Sequence, residues 1–290
     1  MSLRLFIGGV EMNIDCREAR NSLKNATRIV IKIGTSSLVH SNGRINFRRI
    51  GILARVISDL MNQDKEVVLV SSGAIGIGVS KLKLKERPKT IAEKQAVAAV
   101  GQSSLMQVYS QIFSEYGHAV AQILLTKDVI DRSCMKANAI NTFEQLAKMK
   151  ILPIVNENDT VAIDEIKFGD NDNLSYLVAK LIKADLLIIL TDIDGYYNKN
   201  PHENPDAILY HNITDLSEKI EEAAGGAGEH GTGGMLTKVH ACRLAAESGI
   251  NAIIANGNNP EIIYRLLEGE DLGTLFVRKE VCDNECSGVC

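Results

Sequence analysis

Lys32 stands inside an apolar run, Arg-Ile-Val-Ile-Lys-Ile over 28–33, and Gly34 follows it closely. An ammonium buried without a partner is costly, so such a lysine points at an anion or a carboxylate, unless it reaches solvent from an edge strand. A second lysine, Lys238, lies one turn into the helix that Gly231-Thr232-Gly233-Gly234 would open. Free backbone N–H groups at a helix start, with a lysine beside them, make an anion site; the bland reading of the same glycines is a flexible connector. Two polar clusters, Asn156-Glu157-Asn158-Asp159 and Gly169-Asp170-Asn171-Asp172-Asn173, bracket a possible hairpin around 163–168 that carries Lys167. Asn and Asp are common in turns, but two such clusters after one strand exceed what turns require. Their carboxylates could receive an ammonium, orient lysines or hold a metal. Thr191-Asp192 follow the most apolar run of the chain, 185–190, where Asp192 could face a nucleotide or merely cap a turn.

Other chemistries are poorly served. Gly226, Gly228 and Gly231 match a G-x-G-x-x-G spacing, but a dinucleotide fingerprint should follow a strand, and a helix is predicted over 214–224 instead. No Gly-Lys-Ser/Thr stands at Walker spacing. His118, His202, His211, His230 and His240 form no ligand-like or triad-like pattern, and no Gly-x-Ser-x-Gly elbow occurs. Cys16, Cys134 and Cys242 are scattered singly and read as buried or neutral thiols. Cys282, Cys286 and Cys290 fit no common zinc spacing, so no metal-ligating set is assigned.

The elements that must hold these residues alternate. Strands are predicted at 28–33, 66–70, 119–125, 151–155, 185–190, 250–255 and 274–277. Helices are predicted at 46–61, 91–113, 128–149, 173–182, 214–224, 235–248 and 260–267; in the first, Ile50, Leu53, Ala54, Ile57 and Leu60 share one face. The alternation argues for an α/β fold with a mostly parallel sheet. In open α/β sheets ligands bind beyond the carboxyl ends of the strands, and the small polar residues collect there: Gly34-Thr35-Ser36, Ser71-Ser72-Gly73-Ala74, Asn156–Asp159 and Thr191-Asp192. Residues 1–26 show no period and read as a loose leader, with Met12 a possible alternative start; 27–278 form the domain, and 279–290 a polar, mobile tail.

Composition sets the outer limits. A 290-residue chain with 45% hydrophobic residues and no Trp builds an aliphatic core, which suits a buried parallel sheet. A net charge of −4 with no basic face argues against a nucleic-acid partner. No apolar run is long enough to span a membrane and no signal peptide is evident, so a cytoplasmic location without structural disulfides is expected.

The motifs in this order resemble the amino acid kinase family: Lys32-Ile33-Gly34-Thr35-Ser36, Ser71-Ser72-Gly73-Ala74, NENDTV over 156–161, FGDNDNLS over 168–175, and GTGGM over 231–235 with Thr237 and Lys238. The likeness runs from 28 to 277. Within the family it is similar to the branch whose acceptor is L-glutamate, in a form without the RNA-binding-like C-terminal domain that some members carry. The resemblance implies a three-layer α/β/α sandwich around a mainly parallel sheet, with the acceptor site in the N-terminal part and ATP in the C-terminal part. It implies transfer of the γ-phosphoryl group of ATP, with Mg²⁺, to the side-chain carboxylate of L-glutamate, at the head of proline formation. Proline is then a feedback inhibitor and a homo-oligomer is expected. Lys32 and Lys238 would flank the transferring group, Asp172 would orient both, and Lys167 would assist near the acceptor. Ser72, Gly73, Asp159 and Asn171 match the acceptor positions, Asp159 receiving the α-ammonium. Lys32, Gly34, Thr191, Asp192 and the run Thr232, Gly233, Gly234, Met235, Leu236, Thr237, Lys238 match the ATP positions. The alternatives are another kinase of the same family, acting on acetylglutamate, aspartate, carbamate or a nucleoside monophosphate, and a catalytically silent nucleotide-binding regulator.

Overall fold

The computed structural model describes residues 3–7, 10–14, 16–40, 43–126, 129, 132–161, 171–218, 220–221 and 234–279, with side chains from Cys16 onward. Its main sheet has eight strands in the order β5-β6-β4-β3-β7-β9-β10-β8. They are β3 (Arg28–Ile33), β4 (Glu66–Ser71), β5 (Val120–Leu125), β6 (Leu152–Glu157), β7 (Leu186–Thr191), β8 (Asn212–Ile213), β9 (Asn251–Asn256) and β10 (Thr274–Phe276). Strands β5, β6, β4, β3, β7 and β9 run parallel, while β10 is antiparallel to β9 and parallel to β8.

Strand β3 lies in the middle, and Lys32 pairs with Val70 of β4 on one side and Ile189 of β7 on the other. That removes the edge-strand reading of this lysine. Successive side chains alternate faces. Ile29, Ile31 and Ile33 enter one hydrophobic cluster with Leu186, Ile188 and Leu190, against α3 (Phe47–Asn62), α5 (Ile91–Ser114) and α9 (Ile262–Leu267). Val30, Leu187 and Ile189 enter the other, against α6 (Ser133–Lys148), α7 (Asn171–Leu181) and α8 (Gly234–Glu247). The result is helices on both faces of a mainly parallel sheet, an α/β/α sandwich. Each fully buried Ile or Leu contributes about 1.5–3 kcal/mol, so a one-residue slip of β3, which would exchange its faces, is prohibitively costly. Parity therefore holds Lys32 on the face of α7 and α8.

The helices start where sequence chemistry supports them. Asn46 caps α3, its side chain accepting from the Arg49 N–H, and Thr90 with Glu93 forms a reciprocal capping box for α5.

Several expectations need correcting. Residues 16–26 are not a loose leader: α1 (Cys16–Ser22) packs on the domain, and Arg20 is 3% exposed. Its guanidinium donates to the carbonyls of Glu270, Leu272, His211 and Gly273. Before it, β1 (Leu3–Ile7) and β2 (Val10–Ile14) pair antiparallel, apart from the main sheet. Thr214, Asp215 and Leu216 are not helical, although a helix was expected over 214–224; Ile213 just before them belongs to β8, which periodicity did not reveal. Two helices were missed, α2 (Thr35–Leu38) and α4 (Ala74–Lys81). The expected hairpin around 163–168 lies outside the described residues.

Candidate active site

At the carboxyl edge of the sheet one carboxylate serves two ammonium groups. Asp172, in the first turn of α7, is 1% exposed. Its Oδ1 meets Lys32 Nζ, which comes off β3 and is 5% exposed. Its Oδ2 meets Lys238 Nζ at 3.0 Å and accepts from Thr237 Oγ1 at 3.0 Å, both from the first turn of α8. Lys238 Nζ also donates to the Gly234 carbonyl at 2.8 Å. Removing an ion from water is expensive, and a buried charge is tolerated only when well paired. Among the described residues two cations share this one anion, which leaves formal positive charge in the cluster to meet an anion from outside.

The backbone adds to that field. Helices α2, α4, α7 and α8 all begin at this edge, and a helix start is electropositive. Gly73, which precedes α4, has φ +97°, a left-handed conformation that disfavours side chains. A Cβ on Gly34 would stand 3.9 Å from Lys32 Nζ, in the approach to the ammonium. Glycine at both places keeps the N–H groups of two strand-to-helix turns open to a ligand.

Beside this cluster lies a chain of amides. Asn171 Nδ2 donates to the Ser71 carbonyl at 2.8 Å, to Ser72 Oγ at 3.1 Å and to Asn156 Oδ1 at 2.6 Å. Asn156 Nδ2 donates in turn to Gln102 Oε1 at 2.8 Å. Ser71 Oγ shares a 2.8 Å hydrogen bond with the Tyr109 hydroxyl, whose pKa burial pushes up while the bond from Ser71 opposes it. Ser72 and Asn171 are thus together, and Asp159 follows β6, the strand that ends on Asn156 and Glu157. Gln102, Asn156 and Tyr109 were not among the sequence candidates. Gln102 and Tyr109 sit inside a helix with no motif around them; Asn156 was visible only as part of its cluster.

On the other flank, Thr191 ends β7 and its carbonyl accepts from the Gly257 N–H at 2.7 Å, while its hydroxyl donates to Asp192 Oδ1 at 3.1 Å. Asp192 is exposed. In α8, Met235 packs on the core and Leu236 is 40% exposed. Lys167, Thr232 and Gly233 lie outside the described residues. Cys242, one turn beyond Lys238, is fully buried; burial, with Asp172 nearby, pushes its thiol pKa well up, so it is a neutral core group and no nucleophile. Cys16 is half-buried and Cys134 exposed. Among the described residues no group of three His, Cys, Asp or Glu could hold a metal, and no helix is long and apolar enough to cross a membrane.

Comparison with known proteins assigns the arrangement. The model of the amino acid kinase family matches residues 27–256. The chain belongs to the amino acid kinase family. Within it, the glutamate 5-kinase of Clostridium perfringens is 55% identical over 266 residues, covering 90% of this chain and 99% of that protein. The glutamate 5-kinase of Listeria monocytogenes is 54% identical, covering 90% and 96%, and that of Enterococcus faecalis 53%, covering 89% and 97%. The chain thus falls in the glutamate 5-kinase branch of the amino acid kinases. Solved structures of the amino acid kinase fold superpose more loosely. UMP kinase from Ureaplasma parvum gives a TM-score of 0.61 at 17% identity, covering 87% of this chain and 99% of that one. Carbamate kinase from Giardia lamblia gives 0.61 at 18%, covering 88% and 100%. These likenesses bear on the fold alone.

Proposed function

We propose that this chain transfers the γ-phosphoryl group of ATP to the side-chain carboxylate of L-glutamate. The observation that carries the reading is the buried Asp172 shared by Lys32 and Lys238, in a chain 53–55% identical to glutamate 5-kinases. Phosphoryl transfer is chiefly positioning and charge stabilisation. Lys32 and Lys238 flank the transferring group, and Asp172 holds their ammonium groups apart and aimed. The N–H groups at Gly34 and Gly73 face the phosphoryl oxygens, where charge spreads in the transition state. The attacking carboxylate is ionised at neutral pH, so no general base is required.

Ser72, Gly73, Asp159 and Asn171 form the acceptor side, with Asp159 receiving the α-ammonium; that contact favours free L-glutamate over acetylglutamate. Lys167 assists there. Lys32, Gly34, Thr191, Asp192 and residues 232–238 form the ATP side. Both oxygens of Asp172 face lysines, and the described residues hold no carboxylate cage; this fits a Mg²⁺ ion that rides on the phosphates, as its tightly held hydration shell favours. In the same reading 27–278 is the kinase domain, the enzyme works in the cytoplasm as a homo-oligomer, and proline inhibits it.

The test is ATP turnover with Mg²⁺ and L-glutamate, the acyl phosphate being trapped as the hydroxamate. Hydroxamate with L-glutamate, and little with acetylglutamate or aspartate, is the expected result. Product only with another acceptor overturns the substrate; no product with any acceptor overturns the activity.

A further inference from the structure

We propose that Gln102, in the middle of α5, is a positioning residue that steadies the amide network behind the acceptor site. The inference rests on the reading that the acceptor binds beside Asn171 and Ser72.

A side-chain amide can face either way, and only its partners decide which end is oxygen. Here two backbone groups decide. The Glu157 N–H can only donate, and it meets Asn156 Oδ1 at 2.9 Å. That end of Asn156 is therefore oxygen, and the other end must donate. The donating end meets Gln102 at 2.8 Å, so Gln102 presents Oε1 there. Independently, the Ser71 carbonyl can only accept, and it meets Asn171 Nδ2 at 2.8 Å. Both anchors agree on the 2.6 Å contact between Asn171 Nδ2 and Asn156 Oδ1. Asn171 is left to present its oxygen, an acceptor suited to an ammonium group.

Gln102 bears a cost for its part. It is 8% exposed, and its Nε2 is buried with no hydrogen-bond partner among the described residues. An unmet buried donor is destabilising, and an apolar side chain of equal length would avoid it. The amide is explained by its oxygen, which satisfies Asn156 Nδ2 and so supports the orientation that the Glu157 N–H sets. Its point of origin is rigid. A Cβ on the neighbouring Gly101 would lie 1.8 Å from the Ala74 carbonyl, so α5 is pressed backbone to backbone against α4, whose N-terminus adjoins the site. Without Gln102 Oε1, Asn156 Nδ2 loses its acceptor, and Asn156 Oδ1, to which Asn171 donates, is held by the Glu157 N–H with less support.

The experiment measures KM for both substrates by the hydroxamate assay in wild type, Gln102→Met and Gln102→Glu, with thermal unfolding alongside. For Gln102→Met the acceptor KM is expected to rise about tenfold, the worth of one neutral hydrogen bond, with the ATP KM unchanged. Gln102→Glu keeps an oxygen toward Asn156 and is expected to fall between wild type and Gln102→Met, which also serves if the methionine variant does not fold. In an Asn171→Ala background, Gln102→Met is expected to add nothing. Equal changes in both KM values, no change at all, or full additivity with Asn171→Ala would each refute the proposal. If the wild type uses another acceptor than L-glutamate, the substrate reading fails, and the same split read with that acceptor decides on Gln102. If no acceptor is turned over, both fall.

Discussion

Strand β3 carries a cation at each end, Arg28 and Lys32, both on the side facing away from α3 and α5, and the two meet opposite fates. At the amino edge Arg28 Nε donates to Glu66 Oε2 at 2.5 Å, and its Nη1 to Glu144 Oε1 at 3.0 Å and to the Ile182 carbonyl at 2.6 Å. Burial works against that charge, but the two glutamates outweigh it and raise the arginine's pKa. Around it Lys150 pairs with Asp64 at 2.7 Å, and Lys65 donates to the Ala26 carbonyl at 2.6 Å. A cavity of about 150 Å³ lies here, floored by Val68, Phe143 and Pro153, yet the charges on its rim are engaged with one another. At the carboxyl edge Lys32 has one carboxylate among the described residues, and shares it with Lys238. Among the described residues the cations of the amino edge each have a partner of their own, whereas Lys32 and Lys238 divide Asp172 between them. A charge that is saturated supports structure, while a charge left short of partners can bind.

That contrast can be broken most forcefully at the lysines. Lys32→Ala or Lys238→Ala is expected to lower kcat by roughly 10²–10³, the scale on which loss of transition-state charge stabilisation acts, while the protein still unfolds cooperatively. Near-normal turnover in steady-state assays would remove both from the chemistry. Asp172→Ala tests the hub itself. It leaves the buried Lys32 ammonium and the part-buried Lys238 ammonium without their shared anion, and stability in urea is expected to fall by about 3–5 kcal/mol along with activity. At the opposite edge Arg28→Met is expected to lose about 1 kcal/mol of stability, as half-exposed ion pairs do, with kcat unchanged; a large fall in kcat would erase the distinction between the two edges.

The smallest effect belongs to Asp185. Burial opposes its ionisation, but hydrogen bonds from the Arg28 N–H and from the N–H and hydroxyl of Thr27 prevail and hold its carboxyl below the usual range. A depressed folded pKa stabilises above the ordinary carboxylate value, about 3.9, and the benefit is lost as pH falls through the folded value. Asp185→Asn is therefore expected to lower Tm slightly and evenly from neutral pH to about 5, and the gap to wild type should close below about 4. A gap that widens on acidification would refute this.

The contrast was half legible in the sequence. An apolar run interrupted by one lysine pointed to an engaged charge or to an edge strand, and the central place of β3 decides for the first. Which carboxylate engaged it was not legible from spacing, since Asp172 comes from 140 positions away; only the family likeness paired them. Helix α4 was hidden because Gly76 and Gly78 are poor helix formers. A Cβ on Gly78 would lie 2.1 Å from the Val97 carbonyl, so the tight crossing with α5 overrides local propensity. Strand β8, of two residues, is too short to show a period. Gln102 and Arg20 have no local pattern at all, because their meaning lies in backbone groups distant in sequence.

Arg20 has a consequence for how the protein is made. Its acceptors at Glu270 and Leu272 lie 250 and 252 residues further along the chain. At roughly 5–20 residues per second of synthesis, the amino-terminal helix emerges from the ribosome long before them. During that interval its arginine has none of these carbonyls to meet, and the sheet can assemble outward from its parallel centre without the clasp. Closure of residue 20 onto the loop before β10 is then a late event, and a ribosome stalled before residue 270 would carry a chain whose first helix has not yet been fastened.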